Sequence, residues 1–182
     1  MSNSQSTWYD VFETEMGWVA AVSGRAGVIR MSLPERTFEQ AYDHVRPEVE
    51  RAELDADALK EVRQQVQAYC SGKTGNLDGV EVDMSRMSPF FKRAREACRS
   101  IPSGETRTYA WLAEQAGNAR AARGAGQAMA KNPVALVIPC HRVIGSDGAL
   151  HGFGGGIGLP MKERLLRMEA VGATASGRTT RQ

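Results

Sequence analysis

The stretch Val-Ala-Leu-Val-Ile-Pro-Cys-His-Arg-Val, residues 134–143, places a cysteine directly after a short apolar run. The run is too short to span a membrane and predicts a buried strand or extended segment. Because Pro139 fixes the backbone where the run ends, we expect Cys140 at the rim of a pocket. The neighbouring His141 and Arg142 are the first groups available to lower the thiol pKa toward the reactive thiolate. The stretch therefore predicts either a nucleophile or an inert core cysteine.

Length and composition indicate an ordinary soluble protein. The 182 residues suffice for one large domain or two small ones. The first seven residues lack the basic and apolar regions of a signal peptide, so we expect an intracellular location. The three cysteines, Cys70, Cys98 and Cys140, form no Cys-x-x-Cys pair, and the three histidines are scattered. This pattern predicts a reducing compartment and no structural metal.

Charge is distributed unevenly between the two halves of the chain. Residues 1–85 carry 8 Lys or Arg and 15 Asp or Glu, a net charge of −7, whereas residues 86–182 carry 15 and 6, a net charge of +9. A basic half is often only a solvated surface, but a positive excess confined to one half also attracts polyanions. The second half is therefore the candidate for binding nucleic acid.

The first half has the pattern of a scaffold without catalytic groups. Alternating apolar residues and glycine-containing turns predict strands over residues 9–12, 17–22 and 27–33. Apolar residues at helical spacing predict helices over residues 37–45 and 54–69.

A change of pattern near Ser85 marks a domain boundary. Ser88 and Pro89 then have the sequence of a helix start, with proline in the first turn. After Gly172 the chain is polar and small, which is typical of a disordered tail. The predicted organisation is an α/β scaffold domain, a second domain and a tail, over residues 1–85, 86–172 and 173–182.

Three helices are predicted early in the second half. The first, over residues 90–99, is amphipathic, and its basic residues, Arg95 among them, are expected largely on the outer face. The next contains Tyr109, and the third runs over residues 119–130. Because a short turn containing Gly117 joins the last two, they predict a helix-turn-helix.

The helix over residues 119–130 is almost bare of bulky side chains. Ala122, Gly124 and Gly126 leave its surface smooth, and Arg123 is one of its few long side chains. Tight helix packing would explain this composition. The functional alternative is a helix that enters a DNA groove while Arg123 projects from it. With little to read base edges, such a helix favours sequence-tolerant insertion into the minor groove.

A glycine-rich stretch and a last helix complete the second half. Residues 152–158 contain no GxGxxG frame and no Walker lysine, so they do not predict a phosphate loop. Their glycines would instead bring backbone N–H groups close to a ligand, with Phe153 as an aromatic wall. A final helix is predicted from Met161 to Glu169, and Glu169 reads locally as one more solvated carboxylate.

Together these motifs resemble the O6-alkylguanine-DNA alkyltransferases, also called methylated-DNA–protein-cysteine methyltransferases. The resemblance covers residues 90–169, and the first half matches only in its hairpin and its order of elements. It implies an α/β (α+β) fold with an N-terminal ribonuclease-H-like sheet-and-helix domain and a mostly helical C-terminal domain containing a helix-turn-helix. The matching motifs are Pro139–Ile144, Ala121–Met129, Asn132-Pro133, Gly104-Glu105-Thr106 with Tyr109, and Gly152–Gly155.

The resemblance also implies a reaction. An alkyl group would move once and irreversibly from O6-alkylguanine, and from O4-alkylthymine, to Cys140, after the base is flipped out of the duplex. Glu169 would hold His141 in the right tautomer, and His141 would take the thiol proton through a water. Tyr109 would donate a hydrogen bond to the departing base, and Asn132 would order the cysteine loop.

The same resemblance implies a substrate pocket and a DNA surface. The carbonyl of Val143 and the N–H of Gly154 would bind the base, and Met129 and Phe153 would wall the pocket. Arg123 would fill the gap left by the flipped base. The other residues expected at the DNA are Ala122, Gly124, Gly126 and Arg142. The implied protein is a monomer that needs no cofactor or metal, binds double-stranded DNA with little sequence specificity, makes no membrane contact, and is cytoplasmic and nucleoid-associated through DNA.

Two other functions agree with parts of the sequence. A cysteine–histidine hydrolase would use the same Cys140, but it also needs an oxyanion hole and a partner for the histidine. A DNA-binding regulator built on the helix-turn-helix would leave Cys140 idle.

Overall fold

The computed structural model describes residues 6–151 and 158–176, and its first strands lie where the sequence predicts them. The strands of the first sheet are β1 (Thr7–Thr14), β2 (Gly17–Gly24), β3 (Gly27–Met31) and the short β4 (Glu53–Leu54). Pairing is antiparallel between β1 and β2 and between β2 and β3, and β4 runs parallel to β1. The resulting order is β3-β2-β1-β4, with the apolar middle of β2 fully buried.

Helix α1 (Phe38–Val49) packs against this sheet. The Thr37 side chain caps its first turn by accepting a hydrogen bond from the Gln40 N–H at 3.2 Å. Apolar residues three or four positions apart form the buried face of the helix, and they meet the alternate apolar residues of β2. This core comprises Ala20, Val22, Ala41, Val45 and Val49.

Helix α2 (Lys60–Cys70) begins later than the predicted start at residue 54. The preceding residues are held elsewhere, because Glu53 and Leu54 pair with β1. The Asp55 carboxylate then accepts the N–H groups of Asp57 and Ala58 at 3.0 and 2.9 Å, which forms a turn ahead of the helix.

The apolar run of residues 134–138 is buried as predicted but is not a strand. Val134 makes a single parallel bridge to Met31. Two residues later Leu136 has φ of 67°, in the left-handed region. That backbone conformation turns the chain and ends the pairing.

The chain divides into two compact units, and the second is mostly helical. The first holds the described residues up to Ser71 with residues 77–86 and 133–137, and the second holds 72–76, 87–132 and the described residues from Ile138 onward. The elements of the second unit are α3 (Pro89–Arg99), β5 (Arg107–Thr108), α4 (Tyr109–Gln115), α5 (Ala122–Ala130), a 3-10 turn (Cys140–Arg142), β6 (Val143–Ile144) and α6 (Gly158–Ser176).

Local capping explains where these helices start. Ser88 caps α3 by accepting from the Phe91 N–H at 3.4 Å, and Thr108 caps α4 by accepting from the Trp111 N–H at 3.1 Å. Gly117, with φ of 86°, turns the chain after α4. Helices α3, α4 and α5 pack against one another, and β5 pairs in parallel with β6.

Two features of the second unit differ from the prediction. Arg95 faces inward and is only 4% exposed, rather than lying on the outer face of α3. Helix α6 extends from Gly158 to Ser176, beyond both predicted ends, so residues 173–176 belong to a helix and not to the predicted tail. Residues 177–182 lie outside the described residues. Within the described part of the chain, no helix combines the length and the apolar character that crossing a membrane requires.

Candidate active site

Cys140 opens the 3-10 turn that follows Pro139, and it is 9% exposed. The side-chain amide of Asn132 donates to the Cys140 sulfur at 3.4 Å and to the Ile138 carbonyl at 2.8 Å. The amide therefore ties the end of the apolar run to the thiol. The structure brings Asn132 and Cys140 together, and the resemblance implies that Asn132 orders the cysteine loop.

Burial raises the pKa of the Cys140 thiol. The Asn132 hydrogen bond and the positive charges of Lys162 and Arg95 oppose this effect without overcoming it. The sequence assigned that stabilising role to the neighbouring His141 and Arg142, whereas the side chains that act on the thiol are Asn132, Lys162 and Arg95. A thiol that stays protonated at neutral pH needs a base before it can act as a nucleophile.

A buried cluster lies next to the thiol in sequence. The His141 Nε2 is 2.8 Å from the Glu169 Oε1, and Arg142 donates to the same carboxylate from Nε at 3.0 Å and from Nη2 at 2.8 Å. Arg142 also donates from Nη1 to the Ile101 carbonyl at 2.6 Å and from Nη2 to the Gly75 carbonyl at 3.0 Å. Glu169 is thus shared between an imidazole and a guanidinium.

The protonation states of this cluster follow from its contacts. Burial alone would raise the pKa of Glu169, but the hydrogen bond from His141, and the hydrogen bonds and positive charge of Arg142, lower it to about 2. Burial lowers the pKa of His141 despite the opposing effect of Glu169, so the imidazole is neutral at neutral pH. Because the ionised carboxylate only accepts, we assign the imidazole proton to Nε2, which leaves Nδ1 as the basic nitrogen.

The prediction that Arg142 binds DNA is wrong. Its side chain is 3% exposed, and its donors are directed to Glu169 and to the carbonyls of Ile101 and Gly75. A phosphate could be reached only by breaking these buried contacts. Arg142 instead holds the carboxylate that orients His141.

Tyr109, Met129 and Val143, which the resemblance assigns to the pocket, lie on three different elements. Tyr109 starts α4, and burial, followed by the negative charge of a Cys140 thiolate, raises the pKa of its phenol, which therefore remains a hydrogen-bond donor. Met129 is buried near the end of α5, and Val143 is buried at the start of β6. Phe153 and Gly154, also predicted at the site, lie outside the described residues.

Lys162 is a site residue that the sequence did not reveal. It is fully buried in α6, and its ammonium donates to the Val143 carbonyl at 2.7 Å and to the His151 carbonyl at 3.2 Å. Burial lowers the pKa of its amine. In the sequence, Lys162 is one of several charged residues in an amphipathic helix, so nothing local marks it as buried.

The small residues of α5 have two different environments. Arg123 is exposed, as expected of a residue that projects from the helix. A Cβ placed on Gly124 would lie 3.3 Å from the Phe90 ring, whereas one on Gly126 would be 3.9 Å from the Tyr109 ring. Gly124 therefore permits close packing of α5 on α3, and Ala122 and Gly126 are half-buried.

A metal centre was not predicted, and the residues in the described ranges 6–151 and 158–176 contain no group of three or more His, Cys, Asp or Glu placed to hold a metal ion.

The chain is similar to proteins of one known family. Residues 89–171 match the family model described as 6-O-methylguanine DNA methyltransferase, DNA binding domain. The chain is 35% identical over 167 residues to the methylated-DNA–protein-cysteine methyltransferase of Mycobacterium tuberculosis, covering 92% of this chain and 94% of that one.

Solved structures give the same result. The crystal structure of Mycobacterium tuberculosis O6-methylguanine methyltransferase superimposes with a TM-score of 0.76 at 33% identity, over 91% of this chain and 93% of that one. The same organism's protein in complex with DNA gives a TM-score of 0.74 at 32% identity, over 91% and 94%. Both matches extend over the two units of this chain.

The Glu169 carboxylate should make the stability of the protein depend on pH. Its pKa is about 2 in the folded chain against an ordinary 4.5, so its contribution is present above pH 4.5 and is lost as the pH falls toward 2. The shift corresponds to on the order of 3 kcal/mol. We expect Glu169→Gln to have a lower free energy of unfolding than the wild type at about pH 6. This difference should become smaller as the pH falls from about 4.5 to about 2.

Chemical denaturation measured across that pH range tests this expectation. Glu163→Gln is the matched control, because Glu163 lies on the same helix and pairs with the exposed Arg167 at 2.7 Å. This control should change the free energy of unfolding by less than about 1 kcal/mol. A Glu169→Gln deficit that is the same at low and neutral pH would contradict the assigned ionisation.

Proposed function

The chain belongs to the methylated-DNA–protein-cysteine methyltransferase family, and we propose that it repairs DNA by moving an alkyl group from the O6 atom of guanine to the Cys140 sulfur. The observation that carries the proposal is a buried thiol, held by Asn132, next in sequence to a neutral imidazole whose Nε2 is fixed by Glu169. Family membership favours this function over the hydrolase and the regulator that the sequence left open.

The reaction begins when Cys140 loses its thiol proton. The thiol of Cys140 has a raised pKa, and the neutral His141 takes its proton through an intervening water. The thiolate then attacks the alkyl carbon, a C–S bond forms and the C–O bond breaks. The electron pair of that bond stays on the guanine oxygen, and the neutral phenol of Tyr109 donates a hydrogen bond to the departing base.

The product explains why each molecule acts once. Cys140 becomes a thioether, which contains no bond that water readily hydrolyses, so the sulfur is not regenerated. O4-alkylthymine presents the same kind of alkyl–oxygen bond, and we infer that it is a second substrate. No cofactor or metal takes part in a displacement of this kind.

The burial of the thiol requires that the base comes to it. Cys140 is 9% exposed, and a base stacked within a duplex cannot enter such a site. We infer that the damaged nucleotide is flipped into the pocket walled by Met129 and Phe153, where the Val143 carbonyl and the Gly154 N–H bind the base. Arg123 then projects from α5 into the vacancy.

The DNA surface is proposed to be α4 and α5, which form a helix-turn-helix placed in the minor groove. The net charge of +9 in the second half of the chain supplies attraction for phosphates without sequence preference. We further infer a monomer, a cytoplasmic location with association to the nucleoid through DNA, and a ribonuclease-H-like first domain that serves as scaffold. The Mycobacterium tuberculosis relative solved with DNA supports DNA as the partner.

Incubation with duplex DNA that contains O6-methylguanine should add one methyl group to each protein molecule, in place of the thiol hydrogen. Intact mass measures the stoichiometry, and peptide mapping should place the group on Cys140. Cys140→Ser should show no mass change, and the buried Cys70 and Cys98 should stay unmodified. Repair of several lesions per molecule, or methylation of Cys70 or Cys98, would contradict the single transfer.

Arg123→Ala should slow repair of an O6-methylguanine duplex on the order of tenfold, because the empty position in the stack is no longer filled while the base is out. Reaction with the free alkylated base, which needs no flipping, should stay near wild type. Arg120→Ala is the control, since Arg120 is exposed just ahead of α5. If Arg123→Ala slowed both substrates equally, Arg123 would belong to the fold or the pocket instead.

A further inference from the structure

Arg95 lies in α3 and directs its guanidinium at the C-terminal end of α5. It donates from Nε and Nη2 to the Ala128 carbonyl at 3.3 and 3.2 Å, and from Nη2 to the Lys131 carbonyl at 2.6 Å. The guanidinium carbon lies over the Phe91 ring, 5.3 Å from its centroid. A helix C-terminus carries carbonyls without helical partners and a partial negative charge, so a buried cation fits there.

The end of α5 leads directly to the nucleophile. Asn132 follows Lys131, and its backbone N–H donates to the Met129 carbonyl at 3.0 Å, which continues the turn that Arg95 holds. The Asn132 side chain is the group that donates to the Cys140 sulfur. The Lys131 carbonyl that Arg95 binds and the Asn132 amide that contacts the thiol therefore belong to consecutive residues.

The guanidinium also keeps its charge unneutralised near the site. Its acceptors within residues 6–151 and 158–176 are backbone carbonyls, and no carboxylate of those ranges forms a salt bridge with it. Arg142, by contrast, forms an ion pair with the Glu169 carboxylate, which neutralises its charge. A buried cation without a counter-ion favours any anion that forms close to it.

We propose that Arg95 is a positioning residue for Cys140: by holding the C-terminal end of α5 it sets the Asn132 amide on the sulfur, and its charge favours the thiolate. The proposal rests on the proposed function of Cys140 as alkyl acceptor. It assigns to α3 a part in the chemistry that neither the sequence pattern nor the exposed basic face of that helix indicates.

Other groups near Cys140 also affect the pH at which its thiol ionises. Lys162 from α6 favours the thiolate, as does the Asn132 amide, whereas Cys98 from α3 and Tyr109 from α4 would oppose it if they were ionised. Burial raises the pKa of both Cys98 and Tyr109, so both are neutral over the working range. His141 is the neutral base of the same turn, and its partner Glu169 is paired with Arg142.

The experiment compares the full-length wild type with Arg95→Lys, Arg95→Met and the control Arg93→Met. Arg93 is the matched residue, because it lies on the same helix and donates to the Ala116 carbonyl at the C-terminus of α4, at 2.8 Å. The rate of Cys140 alkylation by iodoacetamide is followed from about pH 6 to 10, with peptide mapping to separate Cys140 from Cys70 and Cys98. Single-turnover reaction with O6-methylguanine DNA and thermal unfolding are measured in parallel.

Arg95→Met should raise the midpoint of the pH profile for Cys140 alkylation by about one unit. Near pH 7 its reactions with iodoacetamide and with O6-methylguanine DNA should both be about tenfold slower than those of the wild type. Arg95→Lys keeps the charge without the two-carbonyl fork, so its midpoint should lie between wild type and Arg95→Met. Arg93→Met should leave the profile unchanged even where it lowers the melting temperature.

Three results would overturn the proposal: a wild-type profile for Arg95→Met, an equal shift in Arg93→Met, or failure of both Arg95 variants to fold, which would make Arg95 a requirement of the fold alone. The iodoacetamide reaction needs no DNA. A wild type that reacts with iodoacetamide but not with alkylated DNA would therefore refute the proposed function and leave the Arg95 comparison valid.

Discussion

The arrangement of the second unit depends on one buried carboxylate. Glu169 accepts from His141 and from Arg142 at 2.8 Å each, and from the Gly104 N–H at 3.2 Å. A buried carboxylate is strongly unfavourable unless it is paired and fully hydrogen-bonded, and these donors satisfy both conditions. The remaining donors of Arg142 bind the carbonyls of Ile101 and Gly75, so one ion pair holds α6, the cysteine turn and two loops in register.

The same pairing sets the chemistry of the thiol. Burial, with a smaller contribution from the positive charge of Arg142, keeps the pKa of His141 low although Glu169 acts to raise it, so the carboxylate orients an imidazole that stays neutral. Burial keeps Cys140 protonated until a proton acceptor is in place. The two cations whose charges favour the thiolate, Lys162 and Arg95, both bind carbonyls. In the reaction that we propose, the thiol is therefore unreactive until a water connects it to His141.

Local sequence patterns predicted the elements better than the partners of charged side chains. The hairpin strands, the Ser88 cap of α3 and the paired helices after Tyr109 follow from alternation, capping residues and glycine turns, which act over a few positions. The proposed roles of Cys140, His141 and Glu169 came from resemblance, and the structure joins the last two, 28 positions apart in the chain. Arg142 and Arg95 were assigned to solvent or DNA because no local pattern shows which buried carbonyl or carboxylate a guanidinium will meet. Lys162 was missed for the same reason.

The charge and tautomer of His141 test the proposed chemistry of Cys140 most directly. Nitrogen-15 NMR of the histidine ring nitrogens, recorded on the full-length protein between about pH 6 and 8, reports both charge and tautomer. We expect a neutral imidazole with its proton on Nε2 at pH 7 and above, and the same state in a Cys140→Ser protein. An imidazolium at pH 7, or a neutral ring that carries its proton on Nδ1, would contradict it, since neither leaves a basic nitrogen for the Cys140 proton while Glu169 is bound.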